Sequence, residues 1–146
     1  MAGRMIDRNG HRWGAAISAV VLLVAYAADW RAAVPVMAVI LLIGPVFGLR
    51  ASPLGATYRF AKGILKLNIP VEPEEEAPPR FAQLVGFIFL AIGTLGFYAA
   101  DSTAMGWTFG LIVAALQALL AATGICVGCE AYLIGKRLRA GSAAGA

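Results

Sequence analysis

Charged residues and the residue types that usually carry catalysis or bind metals are scarce in this sequence. Only 14% of the 146 residues are charged, and the chain has two cysteines and a single histidine, His11. A soluble domain typically has about 25% charged residues. Two cysteines cannot build a disulfide scaffold, and His11 adds only a third ligand toward the four of a structural zinc site. This composition argues against an ordinary soluble domain.

Several functional signatures are also missing. The sequence has no phosphate-binding loop, no Ser/His/Asp arrangement and no haem attachment motif. Its net charge is +4, but the basic residues form no block free of apolar residues, so we expect no nucleic-acid partner. No ionisable side chain lies deep within the apolar segments, where such groups mark ion pathways. We therefore expect neither an ion-coupled pump nor a bound cofactor.

Long apolar runs dominate what is present, since 60% of the residues are hydrophobic. A helix needs about 20 apolar residues to cross a bilayer, and uninterrupted apolar runs favour helices over a β-barrel. The sequence predicts an all-α membrane protein, a single domain over residues 1–140 followed by a flexible tail over 141–146. The four predicted transmembrane helices cover residues 13–28, 32–49, 81–100 and 106–134.

The basic residues predict the orientation of these helices. Of the twelve Lys and Arg residues, only Arg31 falls on one side of the predicted membrane, and the other eleven fall on the opposite side. The positive-inside rule makes the richer side cytoplasmic. We predict a multi-pass protein of the bacterial cytoplasmic membrane with both termini inside. In the alternative, the first helix is a signal peptide cleaved after Ala25-Tyr26-Ala27, which leaves three helices.

The cytoplasmic loop over residues 50–80 is the main extramembrane segment. Apolar residues recur in it at helical spacing, with Arg59, Lys62 and Lys66 on another face. This pattern predicts a short amphipathic helix on the cytoplasmic leaflet whose bases contact anionic lipid, with a docking surface for a cytosolic partner as the alternative. The stretch "VEPEEEAPPR" that ends the loop is expected to be a solvated, mobile linker.

Four stretches resemble the DUF4395 family of small bacterial integral membrane proteins. They are "IDRNGHRWGAA", "GPVFGLRASPLGATYRF", "PPRFAQLVGFIFLAIGTLGF" and "GICVGCEAYLIGKR". The resemblance implies a four-helix membrane protein whose activity is unassigned in the family. It also implies an association with thioredoxin-like and thiosulfate-sulfurtransferase proteins. It assigns no role to His11.

The cysteines lie three residues apart in the last of these stretches. On one helix, Cys126, Cys129 and Glu130 would share a face, with the cysteine Cα atoms about 5 Å apart, within the range of a disulfide. Near the C-terminal end of a long helix, the helix dipole and Glu130 would disfavour the thiolate. Arg12 and Arg80, at the starts of the first and third helices, would oppose that effect.

Two further interpretations of this stretch stay open. Gly124 and Gly128 form a Gly-x-x-x-Gly pair, typical of close packing between membrane helices, and cysteine suits such a surface. The cysteines could also bind a metal with Glu130 and His11, or as two pairs across a dimer. One monomer has no second Cys-x-x-Cys, so we predict no metal site.

Three functions fit these features. The preferred one is a small membrane subunit or assembly component, held to a membrane protein complex or a second copy by small-residue helix contacts. The second is a thiol-redox or sulfur-relay protein that uses Cys126 and Cys129, with Glu130 as proton acceptor. Its partner would be a cytosolic thioredoxin-like protein or a sulfurtransferase, since a cytoplasmic pair cannot serve exported disulfides. The third is a small-solute facilitator.

Overall fold

Six α-helices, a 3₁₀ helix (Leu49–Ala51) and one short two-stranded sheet make up the structure, a computed structural model that describes residues 5–144. Arg4 and residues 145–146 of the predicted tail lie outside this range. The strands are β1 (Met5–Asp7) and β2 (Pro73–Glu75). The helices are α1 (Arg8–Ala27), α2 (Ala33–Phe47), α3 (Pro53–Ile64), α4 (Ala77–Tyr98), α5 (Thr103–Thr123) and α6 (Val127–Ala144).

The helices pack around α4, which contacts α2, α5 and α6, while α1 packs against α5 and α3. The core is built from aliphatic side chains and two aromatic ones, and its alanines let the helices approach closely. Its fully enclosed members include Leu22, Val34, Leu41, Leu90 and Val113. The helical bundle predicted from the apolar runs is thus confirmed.

The outside of the bundle is apolar. Val20, Val24, Val39 and Leu95 are each about 60% exposed. Single exposed apolar residues are ordinary, but apolar faces along several long helices indicate an apolar environment. By length and composition, α1, α4 and α5 are able to cross a membrane. Helix α2 has only 15 residues, which cover about 22 Å of a hydrocarbon core about 30 Å thick. The four-span arrangement therefore stays a prediction.

The end of α2 is fastened to the start of α4. Pro45 lies inside α2, and the carbonyl of this proline accepts a hydrogen bond from the Arg80 guanidinium. After the helix ends at Gly48, whose φ is 97°, the buried Leu49 N–H donates to Glu76 Oε1 at 2.7 Å. Two charged side chains, one from α4 and one from its N-terminal boundary, thus satisfy backbone groups around the end of this proline-containing helix.

The segment predicted to be a mobile linker is ordered by an antiparallel ladder. Strand β2 pairs with β1 in the register Met5 with Glu75, Ile6 with Glu74 and Asp7 with Pro73, and the Arg8 N–H donates to the Glu72 carbonyl at 2.8 Å. The acidic, proline-rich composition was a poor guide, because the N-terminal arm supplies a pairing partner. The ladder joins the start of α1 to the start of α4.

Helix α3 is the predicted amphipathic helix of the loop, and it docks on α1. A Cβ added to Gly10 would lie 3.1 Å from the Tyr58 ring, and one added to Gly14 would lie 3.0 Å from Leu54 Cβ. The face with Leu54 and Tyr58 is therefore buried against the protein. Lys66 lies beyond the helix.

Two helices occupy the segment predicted as one long helix over 106–134. Helix α5 ends at Thr123, and α6 begins at Val127 after a short break. Helix α6 continues to Ala144, so residues 141–144 of the predicted flexible tail are helical. The break relocates the cysteines, with consequences for their chemistry.

Candidate functional site: a thiol pair at a helix start

Gly124 produces the break between α5 and α6. Its φ of 78° is left-handed, a conformation that favours glycine, and its N–H donates to the Leu120 carbonyl at 2.9 Å as α5 ends. The chain then turns through Ile125 and enters α6 directly after Cys126. The sequence interpretation did not include this helix end, and a packing role for Gly124 stays a prediction.

Both cysteines belong to the start of α6. The Cys126 carbonyl accepts the Glu130 N–H at 2.9 Å, and the Cys126 sulfur accepts the Cys129 N–H at 3.2 Å. Cys126 therefore takes the position and the hydrogen bond of an N-terminal capping residue. The expectation that the helix dipole disfavours the thiolate had the wrong sign, since the N-terminal end of a helix carries partial positive charge.

The cysteine pair forms a disulfide, with its Cα atoms 5.1 Å apart, close to the spacing expected for positions i and i+3. Cys129 is buried at 5% exposure, whereas Cys126 is half-buried. This difference in exposure gives the two sulfurs unequal access to a partner. Gly128, between them, packs tightly on α4, because a Cβ there would lie 2.7 Å from Ala82 Cβ.

His11, which the sequence offered only as a possible metal ligand together with the cysteines and Glu130, lies beside the pair. An imidazole nitrogen of His11 and the sulfurs of Cys126 and Cys129 all lie within 4.8 Å of one another. Within the described residues, the buried Nε2 atom of His11 has no hydrogen-bond partner. The carboxylate of Glu130 does not join this cluster of described residues, and Glu130 is exposed.

Two arginines on the same face of α1 hold the end of α5. Arg8 donates to the Gly124 carbonyl and Arg12 to the Ala121 carbonyl, each through Nη2 at 3.0 Å. These guanidinium groups satisfy carbonyls that the end of a helix leaves free and offset its partial negative charge. Positions 8, 11 and 12 share one helix face. The spacing Arg-x-x-His-Arg in the sequence was thus a signal that these three side chains lie together. The spacing could not show which other helix this face of α1 contacts.

Arg8 also influences the β-ladder. Burial raises the pKa of Glu74 above its ordinary value of 4.5, and the positive charge of Arg8 opposes that rise. One oxygen of Glu74 is buried with no hydrogen-bond partner in the part of the chain that the structure describes. The ladder therefore holds a carboxylate in surroundings that disfavour its charge.

A cavity of about 690 Å³ lies at the same end of the bundle, lined by residues from α1 to α5, and His11 is part of its wall. Gln117 and Gln83 also line it, and Gln83 Oε1 is buried without a partner among residues 5–144. Three basic side chains, Arg50, Arg59 and Lys62, line it as well. The cavity is therefore mixed in character, with apolar side chains, buried amides and positive charge.

Two of the residues predicted to contact the membrane surface have partners within the protein. Arg59 donates to the Arg50 carbonyl at 2.9 Å, and Lys62 Nζ lies 3.9 Å from Asp7 Oδ2. Asp7 also caps α1 through the Asn9 N–H at 3.0 Å. Burial, and next the negative charge of Asp7, raise the pKa of Tyr58. Contact of these bases and Lys66 with lipid stays a prediction.

Residues 6–137 match the family model described as a domain of unknown function, DUF4395. The chain belongs to this family. The match covers the thiol pair, His11, both arginines and the cavity wall from Ile6 onward. The chain matches no curated protein and no solved structure.

The four stretches that suggested DUF4395 meet at one end of the bundle. Arg8 from the first stretch bonds to Gly124 of the fourth, and Arg80 of the third bonds to Pro45 of the second. Segments far apart in this DUF4395 chain therefore converge around the thiol pair and the cavity.

Proposed function

We propose that this protein is a membrane-bound thiol–disulfide exchange protein whose reacting groups are Cys126 and Cys129. One observation carries the proposal: the pair lies at the start of α6, and Cys126 Sγ accepts a backbone N–H there. Helix starts and nearby positive groups are the surroundings that favour reactive thiolates. Arg8 and Arg12, bonded to the last carbonyls of α5, add positive charge to this end of the site.

Cys126 is the attacking sulfur in this proposal, and Cys129 is the resolving one. Cys126 is the more exposed of the two, and it receives the N–H that stabilises negative charge on sulfur. Cys129 is buried, so it reacts within the protein, with the Cys126 sulfur once that sulfur is bonded to a partner. Glu130 is not the proton acceptor in this proposal, because its carboxylate does not lie with the sulfurs; the thiolate that leaves the partner takes the proton instead.

The exchange conserves electrons and protons. The Cys126 thiolate attacks one sulfur of a partner's disulfide, a mixed disulfide forms, and the partner's other sulfur leaves as a thiolate. Cys129 gives its proton to that leaving thiolate and attacks Cys126 Sγ, and the partner's second sulfur leaves as a thiolate that takes up the proton released when Cys126 ionised. The partner's disulfide is thereby reduced to a dithiol by two electrons, while Cys126 and Cys129 are oxidised to a disulfide.

The proposed setting is the bacterial cytoplasmic membrane, with four spans and both termini inside. The apolar exterior supports a membrane location, and the distribution of Lys and Arg supports the orientation. The thiol pair then faces the cytosol, where dithiols are kept reduced. A thioredoxin-like protein or a sulfurtransferase is the proposed partner. In the sulfur-relay variant, Cys126 would receive a persulfide sulfur from that partner.

A trapping experiment tests the exchange. In Cys129→Ser, the mixed disulfide on Cys126 cannot be resolved, so a thioredoxin-like substrate should accumulate as a covalent complex that a reductant releases. Cys126→Ser should form much less complex, because the remaining sulfur is buried. Equal trapping by the two variants, or none by either, would contradict the proposed roles. Mass spectrometry of the complex distinguishes a mixed disulfide from a persulfide.

The orientation has a test of its own. A membrane-impermeant maleimide added outside sealed cells should leave reduced Cys126 unmodified, and the same reagent should modify it in inverted vesicles. Modification from outside would reverse the topology and remove the cytosolic partners from consideration.

The small membrane subunit is the second candidate function. Large apolar side chains remain exposed on several helices, and a larger membrane protein could cover them. This candidate predicts that replacing both cysteines with serine leaves function intact. The sequence alone favoured it, but the start of α6 shifts our preference to thiol exchange.

A further inference from the structure

The cluster of His11, Cys126 and Cys129 contains the donor atoms of a metal site. We propose that, with the thiols reduced, these three residues bind one thiophilic d¹⁰ cation, Zn²⁺ or Cu(I), through two sulfurs and one imidazole nitrogen. This proposal goes beyond thiol exchange and does not depend on it. It also departs from the expectation that one monomer has no metal site, because His11 lies beside both sulfurs and three ligands are enough without Glu130 or a second Cys-x-x-Cys.

The separations within the cluster suit such a site. The three donor atoms lie within 4.8 Å of one another. A bound ion with sulfur at about 2.3 Å and nitrogen at about 2.0–2.1 Å needs donors somewhat less than 4 Å apart. In this structure the two sulfurs are bonded to each other, so reduction comes first, and rotations of the cysteine and imidazole side chains then bring the three donors to these separations. Two donors share the first turn of α6, so most of the site is arranged in advance.

The unpartnered imidazole nitrogen is an independent indication. His11 Nε2 is buried and makes no hydrogen bond within residues 5–144. A buried polar atom without a partner costs roughly 1–3 kcal/mol, so such atoms usually have a bonding role. A metal ion beside the two sulfurs would give this nitrogen a partner.

The charge of the site is consistent with a cation bound to thiolates. Two thiolates carry a charge of −2, which gives a neutral site with Zn²⁺ and a charge of −1 with Cu(I). Arg8 and Arg12 flank the junction from α1, and their positive charge offsets an anionic site. Three donors complete a trigonal environment for Cu(I) and leave one open position on tetrahedral Zn²⁺. Soft thiolate donors favour these ions over Mg²⁺ or Ca²⁺.

Metal binding and the disulfide exclude each other in this site. The ion needs both sulfurs as thiolates, and formation of the disulfide removes both donors. Only the reduced protein should bind the ion, and binding should protect both thiols from alkylation. This relationship separates the proposed site from adventitious binding to surface carboxylates, which oxidation of the thiols would leave unchanged.

The test uses the reduced full-length chain in lipid nanodiscs. Zn²⁺ and Cu(I) are titrated separately, each in competition with a chromophoric chelator, and one ion per chain is expected for at least one of them. His11→Ala should lower that affinity by at least about tenfold, and Cys126→Ser combined with Cys129→Ser should abolish it. Glu130→Gln is the matched control and should bind as the wild type does. His11→Cys should restore affinity by supplying another soft donor.

X-ray absorption on the metal-loaded wild type gives a readout that does not depend on the stability of a variant. Two sulfurs and one imidazole nitrogen around the ion are expected. Four sulfurs would indicate paired cysteines from two chains and would overturn the proposal. Absence of the imidazole, equal affinity in His11→Ala, binding by the oxidised protein, or no binding of either ion by the reduced wild type would do so too. None of these results bears on trapping of a partner in metal-free buffer.

Discussion

Replacing Gly124 with alanine tests the break between α5 and α6, because the break and a continuous helix predict effects of opposite sign. In an uninterrupted helix over residues 106–134, Gly→Ala would stabilise the protein by about 0.5–1 kcal/mol. In the structure, φ at Gly124 is 78°, and a left-handed conformation costs a residue with a Cβ roughly 1–2 kcal/mol.

The contacts of Gly124 add to this cost. A Cβ there would lie 3.2 Å from Arg8 Nη2, the atom that donates to the Gly124 carbonyl at 3.0 Å. Displacing Arg8 loses a hydrogen bond worth about 0.5–1.5 kcal/mol. We therefore expect Gly124→Ala to lower the free energy of unfolding by about 1.5–3.5 kcal/mol.

Unfolding by a denaturing detergent in mixed micelles, with the thiols reduced, measures this free energy. Gly135→Ala is the matched control, since Gly135 lies within α6 and no atom lies within 4 Å of an added Cβ. The control should be stabilised by about 0.5–1 kcal/mol. If Gly124→Ala were stabilised as much as Gly135→Ala, the chain would be continuous here, and the helix start at the cysteines would be refuted.

Three further outcomes are expected. In the reduced protein, a small maleimide should modify Cys126 at least about ten times faster than Cys129, because Cys129 is buried and Cys126 accepts the N–H that stabilises a thiolate. Mass spectrometry over time measures both rates of modification. Equal rates would contradict the assignment of Cys126 as the attacking sulfur. Glu76→Ala should destabilise the protein by about 1–3 kcal/mol, because it leaves the buried Leu49 N–H without an acceptor. Glu72→Ala is the control and should change stability by less than about 0.5 kcal/mol, because the Glu72 side chain is exposed. Glu74→Gln should raise the melting temperature at pH 7. Burial raises the pKa of Glu74 above its ordinary value of 4.5. The contribution of Glu74 to wild-type stability is therefore greatest below pH 4.5 and falls as the pH rises through the folded-state pKa. The gain should disappear below that value and be absent in Glu72→Gln; a gain that persists there would have another cause.

The sequence predicted the helical bundle because long apolar runs have one main solution in an apolar solvent, a set of packed helices. It also predicted an amphipathic helix near Arg59 and Lys62, where the spacing of apolar residues was regular. It missed the ladder between Met5–Asp7 and Pro73–Glu75. Neither three-residue strand has a pattern of its own, and each exists only because the other lies beside it.

The thiol site was only partly predictable. The spacing of Cys126 and Cys129 showed that they form a pair, but hydropathy continued across Gly124 and concealed the end of α5. Two signals were present: the predicted helix was too long for a bilayer, and a glycine is a common helix stop. The position of His11 beside the sulfurs depends on how α1 packs against α5, a contact between residues more than 100 positions apart. No local pattern encodes it.

Helix α1 contacts two different helices near the thiol pair. Arg8 and Arg12 donate hydrogen bonds to the end of α5, and Gly10 and Gly14 pack against α3. His11, between them, belongs both to the thiol cluster and to the wall of the cavity. A ligand that contacts His11 from the cavity would therefore also change the surroundings of the two sulfurs.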